Sequence, residues 1–181
     1  MTIVSTDRLL IREWTEDPAD LDRVFDIYSR DEVMRWLGGG SGLLTDPAQA
    51  PERVRSWRDR YAPYAGRYGL WAIEPRDAGR PAGSVLLKPL PGRDGGTPTD
   101  DIEVGWHLHP DSWGHGYATE AARAVVEREF ETGTEQVFAV VMPGNDASMA
   151  VARRLGMAHV GIRTDWYGGA ELETFVLRAT G

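Results

Sequence analysis

The spacing of apolar and polar positions changes several times along this chain, and each change marks an element. Residues 8–12 (RLLIR) read as a short strand. Asp17-Pro18 then opens a helix whose Leu21, Val24, Phe25 and Tyr28 share one stripe at the helical period. The Gly-rich stretch 38–42 (GGGSG) breaks the pattern as a loop, and a second helix is predicted from Pro51 to about Pro63. Residues 70–74 (LWAIE) and 82–88 (AGSVLLK) read as strands joined by the turn-rich PRDAGRP. The stretch 89–101 is expected to be a flexible acidic loop. It is not read as a domain linker, because strand patterns continue on both sides.

The second half is patterned more sharply. Residues 102–108 (IEVGWHL) alternate strictly: Ile102, Val104, Trp106 and Leu108 on one face, Glu103, Gly105 and His107 on the other. A turn leads into a helix over 117–130, with Ala118, Ala121, Ala122, Val125 and Val126 at helical spacing. The continuous apolar run 137–142 predicts a buried strand. A helix over 145–155 follows, capped by Asn145 or Asp146 and stopped by Gly156. Strands at about 158–165 and 171–178 close the chain. The order β-α-α-β-β-β-α-β-α-β-β predicts one α/β domain over 1–181, with a right-handed strand-helix-strand crossover in its second half.

Composition narrows the chemistry. The chain has 181 residues, enough for one sizeable core, and a formal net charge of −8. An acidic surface repels nucleic acid and anionic membranes and is friendlier to cationic partners. There is no cysteine, so disulfides and thiol nucleophiles are excluded. The N-terminus lacks an apolar leader segment and no apolar run approaches 18 residues, which predicts a cytoplasmic protein without a membrane span.

The candidate chemistry centres on residues 113–119 (WGHGYAT), between a strand and a helix. Two glycines at a helix start let backbone approach a ligand, and the outward N–H groups with the helix dipole suit a pyrophosphate. A plain strand-to-helix turn that needs two glycines is the alternative. A Rossmann fingerprint is excluded by Thr119 in place of a third glycine and by the missing acidic residue after the next strand. A Walker GK[ST] appears nowhere. Two roles for Glu103 stay open: an ordinary salt bridge at a sheet edge, or a general base. Asn145 is read either as a helix cap near the Ser148 amide or as a ligand contact. His107, His109 and His115 lack cysteines or spaced carboxylates around them, so no metal site is expected.

The run Glu103-Val-Gly-Trp-His-Leu, the loop Trp113-Gly-His-Gly-Tyr-Ala-Thr-Glu120-Ala, the spaced Asn145 and Ser148, and Arg154-Leu-Gly-Met157 resemble the RimJ/RimL-like branch of the GNAT superfamily of N-acetyltransferases. The N-terminal STDRLLIREW resembles that branch's first strand, so the likeness spans the chain. It implies a mixed, mostly antiparallel sheet with helices on both faces and a splayed parallel strand pair holding acyl-CoA. It further implies that acetyl-CoA is the co-substrate and a primary amine, either a protein N-terminus or a small molecule, the acceptor, with homodimers recurring in the family. By the same resemblance, backbone groups of His107, Leu108 and His109 pair with the pantetheine arm. Trp113, Gly114, His115, Gly116, Tyr117, Ala118 and Thr119 hold the pyrophosphate, and Asn145 hydrogen-bonds the arm. Glu103 deprotonates the amine and Ser148 protonates the departing thiolate, with Tyr167 as the alternative donor. Two rivals remain: a non-catalytic acyl-CoA sensor on the same fold, and a nucleotide-binding protein using 113–119.

Overall fold

The computed structural model describes residues 1–38 and 42–180; most of the Gly-rich stretch at 38–42 therefore lies outside the described residues. Eight strands among the described residues form one sheet in the order β1-β2-β3-β4-β5-β6-β8-β7. They are β1 (Thr2–Ser5), β2 (Leu9–Glu13), β3 (Gly69–Pro75), β4 (Gly83–Pro91), β5 (Pro98–Leu108), β6 (Gln136–Val141), β7 (Ala158–Arg163) and β8 (Leu172–Arg178). All neighbours are antiparallel except β5 and β6. The helices are α1 (Pro18–Tyr28), the single turn α2 (Asp31–Met34), α3 (Ala50–Tyr61), α4 (Tyr117–Phe130) and α5 (Asp146–Arg154). No helix among the described residues is long and apolar enough to cross a membrane.

Strand alternation sorts side chains onto two faces. Ile11, Trp71, Ile73, Val85, Leu87, Val104, Val137, Ala139 and Phe175 pack with Ala121, Ala122, Val125 and Val126 of α4 and with Met149 and Ala152 of α5. The small alanines let α4 lie close over the central strands. On the opposite face, Trp14 and Ala72 join Val24, Ile27 and Tyr28 of α1 and Val54 and Trp57 of α3. A smaller cluster of Leu90, Phe138, Trp166 and Val176 covers that face of β6 and β8.

Three features differ from the sequence expectation. Strand β1 and helix α2 are additional, both too short to show a period. The flexible loop expected at 89–101 is mostly strand: β4 and β5 pair to Pro91–Pro98, with a bulge between Pro89 and Pro91 that absorbs the prolines. Only residues 92–97 turn. There the Asp94 carboxylate accepts from the amides of Gly96 and Thr97, and the Gly92 amide donates to the Thr97 carbonyl.

Candidate active site

Strands β5 and β6 share a single register pair, Glu103 with Phe138, and then part. Beyond that apex Val104–Leu108 on one side and Ala139–Met142 on the other line a cleft of about 810 Å³. The alternation of β5 then decides which backbone groups face the gap. The His109 amide donates to the Ala82 carbonyl at 3.0 Å and its carbonyl accepts from the Ser112 amide at 2.9 Å. Both backbone groups of His109 are thus engaged within the chain. His107, two residues earlier in the same ladder, also directs its backbone toward β4, where its carbonyl lies against Gly83. Leu108 and Trp106 face the other way, into the gap. The Leu108 carbonyl already accepts from the Trp113 indole at 3.0 Å.

The gap opens onto the loop before α4. Gly114 and Gly116 have φ of 81° and 79°, the left-handed region that a side chain disfavours, and Gly116 caps α4 with no side-chain hydrogen bond. The first intrahelical donor is the Glu120 amide, to the Gly116 carbonyl, which leaves the amides of Tyr117, Ala118 and Thr119 without intrahelical acceptors. Those donors and the dipole of a 14-residue helix form an anion cradle. His115 stacks on Tyr117 at 5.2 Å. Arg8, which sequence reasoning did not single out, donates to the His115 carbonyl and is held by Glu120. The acidic residue in the first turn of α4 thus ties a cation from just before β2 beside the cradle.

At the apex, Glu103 is buried at 7 % exposure. Its Oε2 lies 3.0 Å from Lys88 Nζ and accepts from the Tyr167 hydroxyl at 2.5 Å, and Lys88 Nζ donates to the same hydroxyl at 2.7 Å. Lys88 and Glu103 are direct cross-strand partners, so the hairpin register puts both side chains on one face. Tyr167 reaches them from a turn in which it has φ +50°, anchored by the buried Trp166, whose indole donates to Asp101 at 3.0 Å. Although 38 % of the tyrosine is exposed, its hydroxyl is held between Glu103 and Lys88. Burial first, then the charge of Glu103, hold the phenol's pKa far above its ordinary value, so it keeps its proton.

The remaining residues divide between the two walls. Asn145 caps α5, its side chain accepting from the Ser148 amide at 3.2 Å, and both line the cleft; the Ser148 hydroxyl has no hydrogen-bond partner among the described residues. His107 sits at the apex face with Nδ1 3.3 Å from the Tyr28 hydroxyl. Burial, with the Lys88 charge adding, lowers its pKa to about 4 and keeps the ring neutral. His109 instead lies between Asp26 and Asp111, away from the cleft. Among the described residues no group of three acidic, His or Cys side chains is placed to hold a metal. Trp36, Trp57, Arg60, Tyr61 and Leu70 also line the cleft. Lys88 and Tyr61 escaped the sequence reading; the signal for Lys88 was its register opposite Glu103 and its singularity as the one lysine in the chain.

Comparison with known proteins agrees with this layout. The profile of the acetyltransferase (GNAT) domain matches residues 8–158. The uncharacterized N-acetyltransferase YoaA of Bacillus subtilis is 28% identical over 88% of this chain and 85% of its own. The FsC-acetyl coenzyme A-N(2)-transacetylase of Aspergillus fumigatus is 33% identical over 71% of this chain and 54% of its own. The Salmonella typhimurium acetyl transferase that modifies the N-terminal serine of ribosomal protein L7/L12 superposes with a TM-score of 0.73 at 14% identity, over 99% of this chain and 100% of that one, a likeness of fold.

Proposed function

Because this chain belongs to the GNAT acetyltransferase family, we propose that it transfers an acetyl group directly from acetyl-CoA to a primary amine, in the cytoplasm, with Glu103 as the base. The observation that carries the reading is the apex: a carboxylate buried where the parallel strands part, with a helix terminus of free amides beyond the gap. The pyrophosphate rests on the amides of 114–119, and the pantetheine arm runs along Trp106 and Leu108. From Leu108 to Glu103 the strand spans about 17 Å at its normal rise, a reach suited to that extended arm. The thioester then arrives at Glu103.

Most amines are protonated at neutral pH, and an ammonium has no lone pair. Glu103, directly or through a water, takes that proton, and the free amine attacks the thioester. The departing thiolate takes a proton from Ser148 on the α5 wall or from Tyr167. Tyr167 has the better relay geometry, because Glu103, once protonated, returns a proton to its oxygen. The acceptor's body lies against Trp36, Trp57 and Tyr61, which fits an apolar or flat amine as readily as a peptide N-terminus. Isothermal calorimetry with CoA, followed by thiol-release assays with acetyl-CoA and a panel of amines, tests the reading. Submicromolar to micromolar binding with turnover of one amine class supports it. Folded protein that binds no CoA rejects it, and binding without turnover of any amine leaves a sensor.

A further inference from the structure

The chain carries 20 Lys and Arg residues, of which Lys88 is the only lysine. Arginine serves every other cationic position, including the ion pairs of Arg12 with Asp20 and of Arg23 with Asp111. The two side chains differ in one respect relevant to acyl transfer: guanidinium stays protonated and is no nucleophile, whereas an ammonium next to a base can give up a proton and become one. The one lysine is placed at the cleft apex, its Nζ 3.0 Å from the proposed base and 2.7 Å from the Tyr167 hydroxyl, with a side chain only 18% exposed. That is the position an acceptor's ammonium takes when it hands its proton to Glu103.

We propose that Lys88 is an internal acceptor, and that this protein acetylates its own Lys88 from bound acetyl-CoA. The inference rests on the acetyl-CoA reading above. Glu103 removes one proton from the Lys88 ammonium, and Nζ attacks the thioester carbonyl carbon. A new N–C bond forms and the C–S bond breaks. The tetrahedral adduct loses the second proton, one of the two protons ends on the CoA thiolate, relayed through Tyr167, and the other passes to solvent. The products are the Lys88 acetamide and CoA thiol, with no further reactant. The modification removes the cation that holds Glu103 and leaves the carboxylate to an incoming acceptor ammonium.

The lone lysine makes the experiment unambiguous. Full-length protein is incubated with acetyl-CoA and no added amine, and its intact mass and proteolytic peptides are measured over time. One acetyl group at residue 88, with an equal amount of CoA thiol released, is the expected result. Peptide mapping separates it from the N-terminal amine. Lys88→Arg keeps the cation and takes no label there, and Glu103→Gln, checked for an unchanged unfolding midpoint, is labelled roughly 10²-fold more slowly. Protein that binds acetyl-CoA by calorimetry yet stays unlabelled at Lys88 overturns the inference. Equal labelling rates in wild type and Glu103→Gln also overturn it, as unassisted chemistry. Protein that binds no acetyl-CoA fails at the earlier reading instead, and the calorimetry tells the two failures apart.

Discussion

At the scale of single residues, the apex sets what each group can do. Glu103 is buried against Lys88 and Tyr167, so removing its charge removes the proton acceptor with little change in shape. Glu103→Gln is expected to lower kcat/KM by about 10²–10⁴ on an accepted amine, with the loss shrinking at high pH where free amine is abundant. Superimposable pH–rate profiles for variant and wild type would hand the role to solvent. His107 is a poor substitute base, because burial lowers its pKa from 6.5 to about 4. The same shift has a cost in acid. Between those two values the unfolded chain binds a proton at His107 that the folded chain does not. Stability is therefore complete above pH 6.5 and falls as pH drops toward 4, by at most about 3 kcal/mol. Urea titrations across that window are expected to show this slope, and His107→Gln to flatten it.

At the scale of elements, the two helices beside the cleft end differently. Helix α5 is closed by the Asn145 side chain, which satisfies the Ser148 amide. Helix α4 is left open, with Gly116 in the left-handed region and no side-chain cap. A helix that forgoes its cap keeps its amides for something else. Gly116→Val puts a β-branched residue at φ +79°, with its Cβ 3.6 Å from Arg8. Straining the turn costs roughly 1–3 kcal/mol and misdirects the amides. Loss of CoA binding in calorimetry, with a cooperative unfolding transition retained, is the expected outcome. Unaltered affinity would take the pyrophosphate off this loop. The open helix start was readable from WGHGYAT, because glycines before an amphipathic period announce themselves locally. The direction of the His109 amide was not, since it depends on pairing with Ala82, distant in sequence.

At the scale of the whole molecule, α4 must be held while its N-terminus stays free for a ligand. Its far end is fixed by Glu129, 1% exposed, which accepts from Arg67 at 2.8 Å and from Thr134 and Tyr68. Breaking that network by Arg67→Ala leaves a buried carboxylate short of its cation. A loss of about 1–3 kcal/mol is expected, lowering Tm by roughly 2–4 °C per kcal/mol. An exposed pair such as Arg58 with Glu16 supplies the comparison, and its removal is expected to change Tm far less. Equal effects would show that the buried network adds nothing.

Sequence alone determined what depends on local period and local chemistry: the central alternation at 102–108, the helices at 117–130 and 145–155, the glycine loop between that strand and the first of these helices, and Glu103 on the face shared with Gly105 and His107. Side-chain direction in a strand follows from its own alternation, so no partner is needed to read it. Tertiary structure decided what depends on pairing between distant segments. The β4–β5 register set Lys88 against Glu103, the turn at 167–169 delivered the Tyr167 hydroxyl to both, and the single pair between Glu103 and Phe138 located the apex where β5 and β6 separate. A strand's pattern shows which face a side chain takes, but register selects its neighbours, and register is fixed only when the sheet closes.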